Sequence, residues 1–182
     1  DKTGTLTEGK MQISGVFTGT KELLAHSETG FLEKIDQDGQ GSHITALKIA
    51  LLCSNAYIEN PEDELHQWIV RGRPMERALL MAGVQAGLSK RELERNYPRH
   101  DELPFDPVYK YSAALHHLNE AEDIIYAMRA PEKILAMSSF IETDGEQEEF
   151  NKEKRGELNS KLEELTGKAL RLVGIGYKKV GK

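Results

Sequence analysis

Apolar residues recur at helical spacing in two long stretches of the chain. Ile44 and Leu47 begin one apolar face, and Ser42 is placed to cap the N-terminus of that predicted helix. In the second stretch, residues 150–165, leucines lie on one side of a highly charged helix that Gly167 ends. These patterns predict two amphipathic helices.

Shorter helices are predicted from their start signals. Pro74 follows a glycine-containing turn and suits the first turn of a helix that reaches about Gly87. Ser89 and Glu92 form a capping box for a short helix that ends before the next proline. Pro131 starts a further helix whose following apolar residues pack inward.

Alternation of apolar and polar residues predicts the strands. Residues 111–117 and 124–128 alternate and are separated by an acidic turn, which is typical of an antiparallel hairpin. Residues 21–42 are polar and rich in turn residues, and they predict a loop or a weak hairpin. Further extended segments are predicted at residues 11–20, 68–70 and 169–177.

Composition fits one substantial folded domain, or one domain with an arm. The chain has 182 residues, of which 38% are apolar and 30% charged. No apolar run approaches the ~18 residues that a membrane-spanning helix needs. The net charge is −6 and no basic stripe occurs, so nucleic acid is not an expected partner.

The sequence offers little for disulfide or metal chemistry. Cys53 is the single cysteine, which excludes an internal disulfide, and its apolar surroundings predict a core position. His116 and His117 face opposite sides of the predicted strand, so they are not placed to share a metal.

The first eleven residues, DKTGTLTEGKM, suit a phosphoryl acceptor. The Asp1 carboxylate can attack a phosphorus atom and form an acyl phosphate. Lys2 and backbone N–H groups near Gly4 can hold phosphate oxygens, and Thr3 supplies a further donor. This run resembles the phosphorylation signature of P-type ATPases, the cation pumps that form an aspartyl phosphate from ATP.

Residues 72–79 resemble a second block of that family, Gly-Asp-Pro-Thr-Glu-x-Ala-Leu. Gly72, Pro74 and Glu76 match, whereas Arg73 and Met75 depart from the pattern. The resemblance implies that Glu76 accepts a hydrogen bond from the adenine amino group, which suits a carboxylate. Without the resemblance, the same run is an ordinary helix start.

A third block begins at Leu103-Pro104-Phe105 and contains Lys110. The spacing resembles the family's Pro-Phe run with a cation five residues after the Phe. The resemblance implies that Phe105 stacks on adenine and that Lys110 approaches the nucleotide. Stacking of one base on an aromatic ring contributes roughly 1–3 kcal/mol.

A fourth block resembles the family's Lys-Gly-Ala-Pro-Glu motif incompletely. Met128 stands where the family has Lys, and Arg129 stands where it has Gly. Losing a charged donor costs about 1.5–3 kcal/mol, although Met can pack against a purine. Because of these two departures, we expect the fold to be kept and the affinity for ATP to be reduced.

Near the end of the chain, Arg171 matches a family arginine that reaches toward the nucleotide phosphates.

The resemblance, which is to pumps related to calcium and sodium/potassium pumps, implies an α+β fold, an antiparallel sheet of about six or seven strands flanked by helices. We expect residues 1–11 to be a remnant of the phosphorylation-domain loop and residues 12–182 to be the nucleotide-binding domain. The implied function is to deliver the γ-phosphate of ATP to Asp1 during ion transport. The implied ligands are ATP, held by Glu76, Phe105, Lys110, Met128, Arg129 and Arg171, and Mg²⁺, held at Asp1 and Thr3 in the intact pump.

The chain resembles a piece of a longer pump, so we expect a cytoplasmic domain of an integral membrane protein. Its implied partners are the phosphorylation and actuator domains of the same parent chain. We expect the piece itself to be a monomer that does not contact the membrane and binds nucleotide without turnover.

Two other interpretations of the residues stay open. A small phosphatase with Asp1 as nucleophile would need a downstream acidic pair, which the sequence does not offer. A domain whose pocket has drifted, and which serves structural contacts, is favoured by Met128 and Arg129.

Overall fold

The computed structural model describes residues 11–19, 21–24, 41–106, 108, 111–143, 145–168 and 170–182. The predicted phosphoryl acceptor, Asp1 with Lys2 and Thr3, and the predicted nucleotide cation Lys110 lie outside these residues. The described helices are α1 (Ser42–Leu52), α2 (Pro74–Gln85), α3 (Lys90–Asn96), α4 (Pro131–Met137) and α5 (Lys152–Gly167). The described strands are β1 (Gly15–Thr18), β2 (Lys21–Leu24), β3 (Tyr57–Ile58), β4 (Val70–Arg71), β5 (Arg99–Asp106), β6 (Tyr111–His117), β7 (Glu122–Arg129), β8 (Phe140–Thr143), β9 (Glu146–Glu149) and β10 (Gly174–Gly181).

A four-stranded antiparallel sheet in the order β10-β7-β6-β5 forms the centre of the fold. In β6 and β7 every second side chain is buried, as the alternating pattern predicted. The remaining described strands form three two-stranded ribbons, β1-β2, β3-β4 and β8-β9, in place of a single sheet of six or seven strands. The predicted α+β class with antiparallel pairing is confirmed.

The core lies between one face of this sheet and helices α1, α2 and α3. Leu51 and Leu52 of α1 are fully buried, and burying each such side chain contributes about 1.5–3 kcal/mol. The thiol of Cys53 lies in the same cluster, and burial raises its pKa to about 12. The predicted core position of Cys53 is therefore confirmed.

Two cations close the C-terminal end of α1, and we call this pair, Lys90 and Arg99, the α1 clamp. Lys90 Nζ donates to the carbonyls of Ser54 at 2.5 Å and Ala56 at 2.7 Å. Arg99 Nη2 donates to the carbonyl of Leu52 at 2.8 Å. Cations are stabilising at this end of a helix because its last carbonyls lack intrahelical donors. Burial of Lys90 lowers the pKa of its ammonium group.

Several predicted boundaries differ from the structure. Gly41, and not Ser42, is the N-cap of α1, since Ser42 is already the first helical residue and its hydroxyl is buried with no partner among the described residues. The strand predicted at 169–177 begins only at Gly174, and the one predicted at 68–70 is reduced to β4.

The structure also contains strands that no pattern predicted. β5 is a polar edge strand whose register with β6 shifts twice, once beside Pro104. Proline is tolerated at an edge, where its missing N–H breaks no ladder. The β8-β9 hairpin is largely exposed, with four exposed residues in β9, so it lacks the apolar alternation that reveals a half-buried strand.

Candidate nucleotide-binding site

Most of the predicted nucleotide residues that the structure describes meet at one end of the four-stranded sheet. Antiparallel pairing brings together the end of β5, the start of β6, the end of β7 and the start of β10. Across this end the paired residues are Asp106, Tyr111, Arg129 and Gly174. Residues that are far apart in the sequence are thus adjacent in space.

Side chains at this end alternate between the two faces of the sheet. Arg129 lies in the row of Asp106 and Tyr111 on one face. Met128 lies in the neighbouring row with Ser112 and Ile175, on the face that packs against the core. Phe105 immediately precedes Asp106, in the irregular part of β5 where the register with β6 shifts.

The N-terminus of α2 reaches the same end of the sheet, where a turn at Gly72 fixes its direction. Gly72 has φ +128°, and a Cβ there would lie 2.7 Å from the Cβ of Ala56. Glycine is needed for both reasons. Pro74 then starts the helix, and the Glu76 carboxylate accepts a hydrogen bond from the backbone N–H of Arg73 at 3.2 Å. The backbone of Arg73 is therefore held from both sides.

Arg73 joins α2 to the predicted stacking residue. Its guanidinium carbon lies 5.2 Å from the centroid of the Phe105 ring, within the range of a cation–π contact. Phe105 is half-buried and Glu76 is half-buried. The structure thus places a ring, a carboxylate and a guanidinium together, and we call Arg73, Glu76 and Phe105 the base site.

Glu76 keeps the capacity to accept a further hydrogen bond. A carboxylate has two oxygens with about four lone-pair directions, and only one contact, from the Arg73 N–H, is made in the described part of the chain. A purine amino group is a donor of suitable chemistry. The residues present therefore fit an adenine base.

Met128 is 7% exposed and belongs to the main core cluster, together with Tyr126. Its thioether therefore contributes apolar packing to the core and brings no charge to this end of the sheet.

The structure does not bring Arg129 to the base site. Its guanidinium carbon lies 5.3 Å from the centroid of the Tyr111 ring, and Nη1 lies 3.3 Å from the sulfur of Met137. The Nε atom of Arg129 is buried without a hydrogen-bond partner among the described residues. Arg129 therefore occupies the opposite face of the sheet from Met128.

Arg171 lies in the segment that leads into β10, three residues before Gly174 at the shared sheet end. Its side chain is exposed and makes no hydrogen bond or ion pair with the described residues. A guanidinium without a partner at this end is available to an anionic ligand.

The contact between the Arg73 guanidinium and the Phe105 ring was not predicted from the sequence. The signal was present, because Arg73 departs from the family pattern at a position next to the helix start. What the sequence does not show is that Phe105 lies beneath this side chain.

A cavity of about 210 Å³ lies between α1 and β10, and none of the predicted site residues lines it. Its lining includes Lys48, Tyr126, Tyr177 and Lys179. The cavity is therefore separate from the base site.

The described ranges contain no group of three or more His, Cys, Asp or Glu residues that is arranged to hold a metal ion. His116 and His117 face opposite sides of β6, as predicted: His116 is buried beside Tyr97, and His117 stacks on His100. No helix in the described part of the chain is long and apolar enough to cross a membrane.

Ion-transporting ATPases are similar to this chain over nearly all of its length. A calcium-transporting ATPase of Bacillus subtilis is 29% identical over 99% of this chain and 21% of its own length. A cation-transporting ATPase of Synechocystis is 31% identical over 99% of this chain and 21% of its own length. A sodium/potassium-transporting ATPase alpha subunit of Drosophila melanogaster is 27% identical over 96% of this chain and 17% of its own length.

The chain thus spans about a fifth of the length of these relatives. Residues 43–182 match the family described as P-type ATPase, cytoplasmic domain N. This match includes α2 to α5, nearly all of α1, the four-stranded sheet and every residue of the base site. The chain belongs to the P-type ATPase cytoplasmic domain N family.

Proposed function

We propose that this chain binds ATP at the base site and that its parent, a cation-transporting P-type ATPase, uses the bound nucleotide to phosphorylate Asp1. The observation that carries the proposal is that Glu76, Phe105 and the guanidinium of Arg73 lie together at one end of the sheet. The family and its transporting relatives support the same activity.

In this proposal each residue has one task. The Phe105 ring stacks on adenine, and the Glu76 carboxylate accepts from its amino group. Lys110 and Arg171 meet the ribose and phosphates. Because the chain has a net charge of −6, these local cations are needed to hold a polyanion.

The transfer step itself belongs to the intact pump. The Asp1 carboxylate attacks the γ-phosphorus, a new P–O bond forms, and the bond to the β-phosphate oxygen breaks to release ADP. Lys2 and Thr3 would hold the phosphate, and Asp1 and Thr3 would hold a Mg²⁺ ion, which would supply positive charge against the phosphate oxygens. Residues 12–182 would serve as the nucleotide-binding domain, next to the phosphorylation and actuator domains of the same chain.

Met128 and Arg129 favour a weaker variant of this proposal. Met128 supplies packing where the family has a cation, and the Arg129 guanidinium is turned to the opposite face of the sheet. A domain with reduced nucleotide affinity, serving mainly contacts within the parent, is therefore the second candidate function.

An NMR titration of the ¹⁵N-labelled chain with ATP and with AMP separates the two candidates. ATP binding at the base site predicts the largest shifts around Arg73, Glu76 and Phe105, with saturation at millimolar ATP. Absence of shifts around Phe105 would support the second candidate. The chain alone is expected to release no phosphate from ATP, which a phosphate-release assay checks.

A further inference from the structure

Arg73 combines a fixed backbone with an unpaired side chain. Gly72, Pro74 and the Glu76 carboxylate hold its backbone in place. Its guanidinium makes no hydrogen bond or ion pair with any described residue, and it lies against the Phe105 ring. An exposed arginine with a fixed backbone and no carboxylate partner among the described residues is available to bind a ligand.

We propose that Arg73 forms the second wall of the base site, so that its guanidinium and the Phe105 ring hold the purine between them. This inference rests on the proposed function, since it assumes that a base binds at Phe105. It adds a cationic residue to the site at a position where the family pattern has an acid.

The distance between the guanidinium and the ring is consistent with an insertion. A base stacked on both sides needs about 7 Å between its two neighbours, twice the ~3.4 Å rise of stacked bases. The guanidinium carbon is 5.2 Å from the ring centroid, so it must retreat by about 2 Å. A long, exposed arginine side chain makes such a movement by rotating its own bonds while its backbone stays fixed.

Insertion is favoured over simple displacement because it keeps both surfaces stacked. If the base displaced Arg73 from Phe105, a cation–π interaction would merely be exchanged for a base–ring stack. If the base enters between them, both its faces are covered, because the planar guanidinium stacks on purines as it does on aromatic rings.

The test compares dissociation constants for adenosine and ATP in the wild-type chain, R73A, R73K and R77A. Arg77 is exposed on the same helix and forms no side-chain hydrogen bond or ion pair with the described residues, so R77A is the matched control. We expect R73A to weaken adenosine and ATP binding by a similar factor, about three- to fivefold, and R77A to change neither. R73K keeps the charge but loses the plane, so it should weaken adenosine nearly as much as R73A.

Each other result overturns the inference. A loss confined to ATP makes Arg73 a phosphate contact, an unchanged affinity makes it a bystander, and tighter binding makes it a competitor of the base. Absence of nucleotide binding by the wild-type chain overturns the proposed function and this inference together. Binding that F105A abolishes and R73A leaves unchanged overturns the inference alone.

A second measurement does not depend on affinity. In the chain without nucleotide, the ring current of Phe105 should shift the Arg73 side-chain protons upfield, and F105L should remove this shift. If the Arg73 resonances are the same in both chains, the stacked arrangement does not exist in solution.

Discussion

Two pairs of cations in this domain have opposite surroundings. In the α1 clamp, Lys90 and Arg99 donate to backbone carbonyls at the end of a buried helix. At the end of the sheet beside the base site, the guanidinium groups of Arg73 and Arg171 have no polar partner in the described ranges. The difference separates a structural cation from a binding one: the structural cation has its hydrogen bonds satisfied by the fold, and the binding cation does not.

The largest effect on stability is expected from removing a clamp residue. R99A leaves the carbonyl of Leu52 and the amide oxygen of Asn55 without their donor, and it unpairs Glu102. Because the contact with the Leu52 carbonyl is partly buried, whereas those with Asn55 and Glu102 are exposed, we expect the free energy of unfolding to fall by about 1–3 kcal/mol. Urea denaturation measures this loss, and R171A is the control, with an expected change within about 0.5 kcal/mol. Equal losses in the two variants would contradict the distinction.

The next largest effect on stability is expected from acid, through a buried histidine. Burial lowers the pKa of His116, which is fully buried and whose Nδ1 lies 2.7 Å from the carbonyl oxygen of Tyr97. In the unfolded chain the imidazole binds a proton near pH 6.5, whereas in the folded chain it stays neutral to lower pH. The free energy of unfolding therefore falls as the pH drops below about 6.5. The loss is at most about 1.4 kcal/mol per pH unit for one proton.

Urea denaturation at pH 7 and pH 5.5 measures this slope. H116Q should reduce the slope, and H100Q, which changes an exposed histidine, is the matched control. A slope that H116Q leaves intact would assign the acid sensitivity to other groups.

The smallest effect is expected from Arg171. R171A removes one unpaired cation near the phosphates, so ATP affinity should fall by about threefold while AMP affinity falls less. Stability should stay the same because the side chain makes no hydrogen bond or ion pair with the described residues. A calorimetric titration with ATP and with AMP checks this, and an equal loss for the two nucleotides would contradict a contact between Arg171 and the outer phosphates.

The sequence predicted the parts of the fold where local signals and burial agree. The alternation of β6 is present, and Ser89 is the N-cap of α3, with Ser89 Oγ accepting from the Glu92 N–H. The return bond from the Ser89 N–H to the Glu92 carboxylate, which would complete the capping box, is absent from the described residues. The start of β10 was misplaced because alternation continues backward through residues 170–173. Gly174 marks the true start, where a Cβ would lie 2.8 Å from Pro131 Cα.

The site was predicted only in part, for a similar reason. Glu76 and Phe105 were recognised from family motifs, and the fold brings them to one end of the sheet. The separation of Met128 and Arg129 onto opposite faces was not predicted, since β7 continues through Arg129 and its pairing with β6 and β10 sets the surroundings of both residues. The Arg73 contact depends on packing between α2 and β5, which no local pattern encodes.

The central claim is that the Phe105 ring binds the base. The most direct measurement is the ATP dissociation constant of F105A against that of F140A, which removes a phenylalanine that is 62% exposed on β8. We predict that F105A weakens ATP binding by at least about tenfold and that F140A leaves it unchanged. Equal affinities in the two variants, with both chains folded, would contradict the claim.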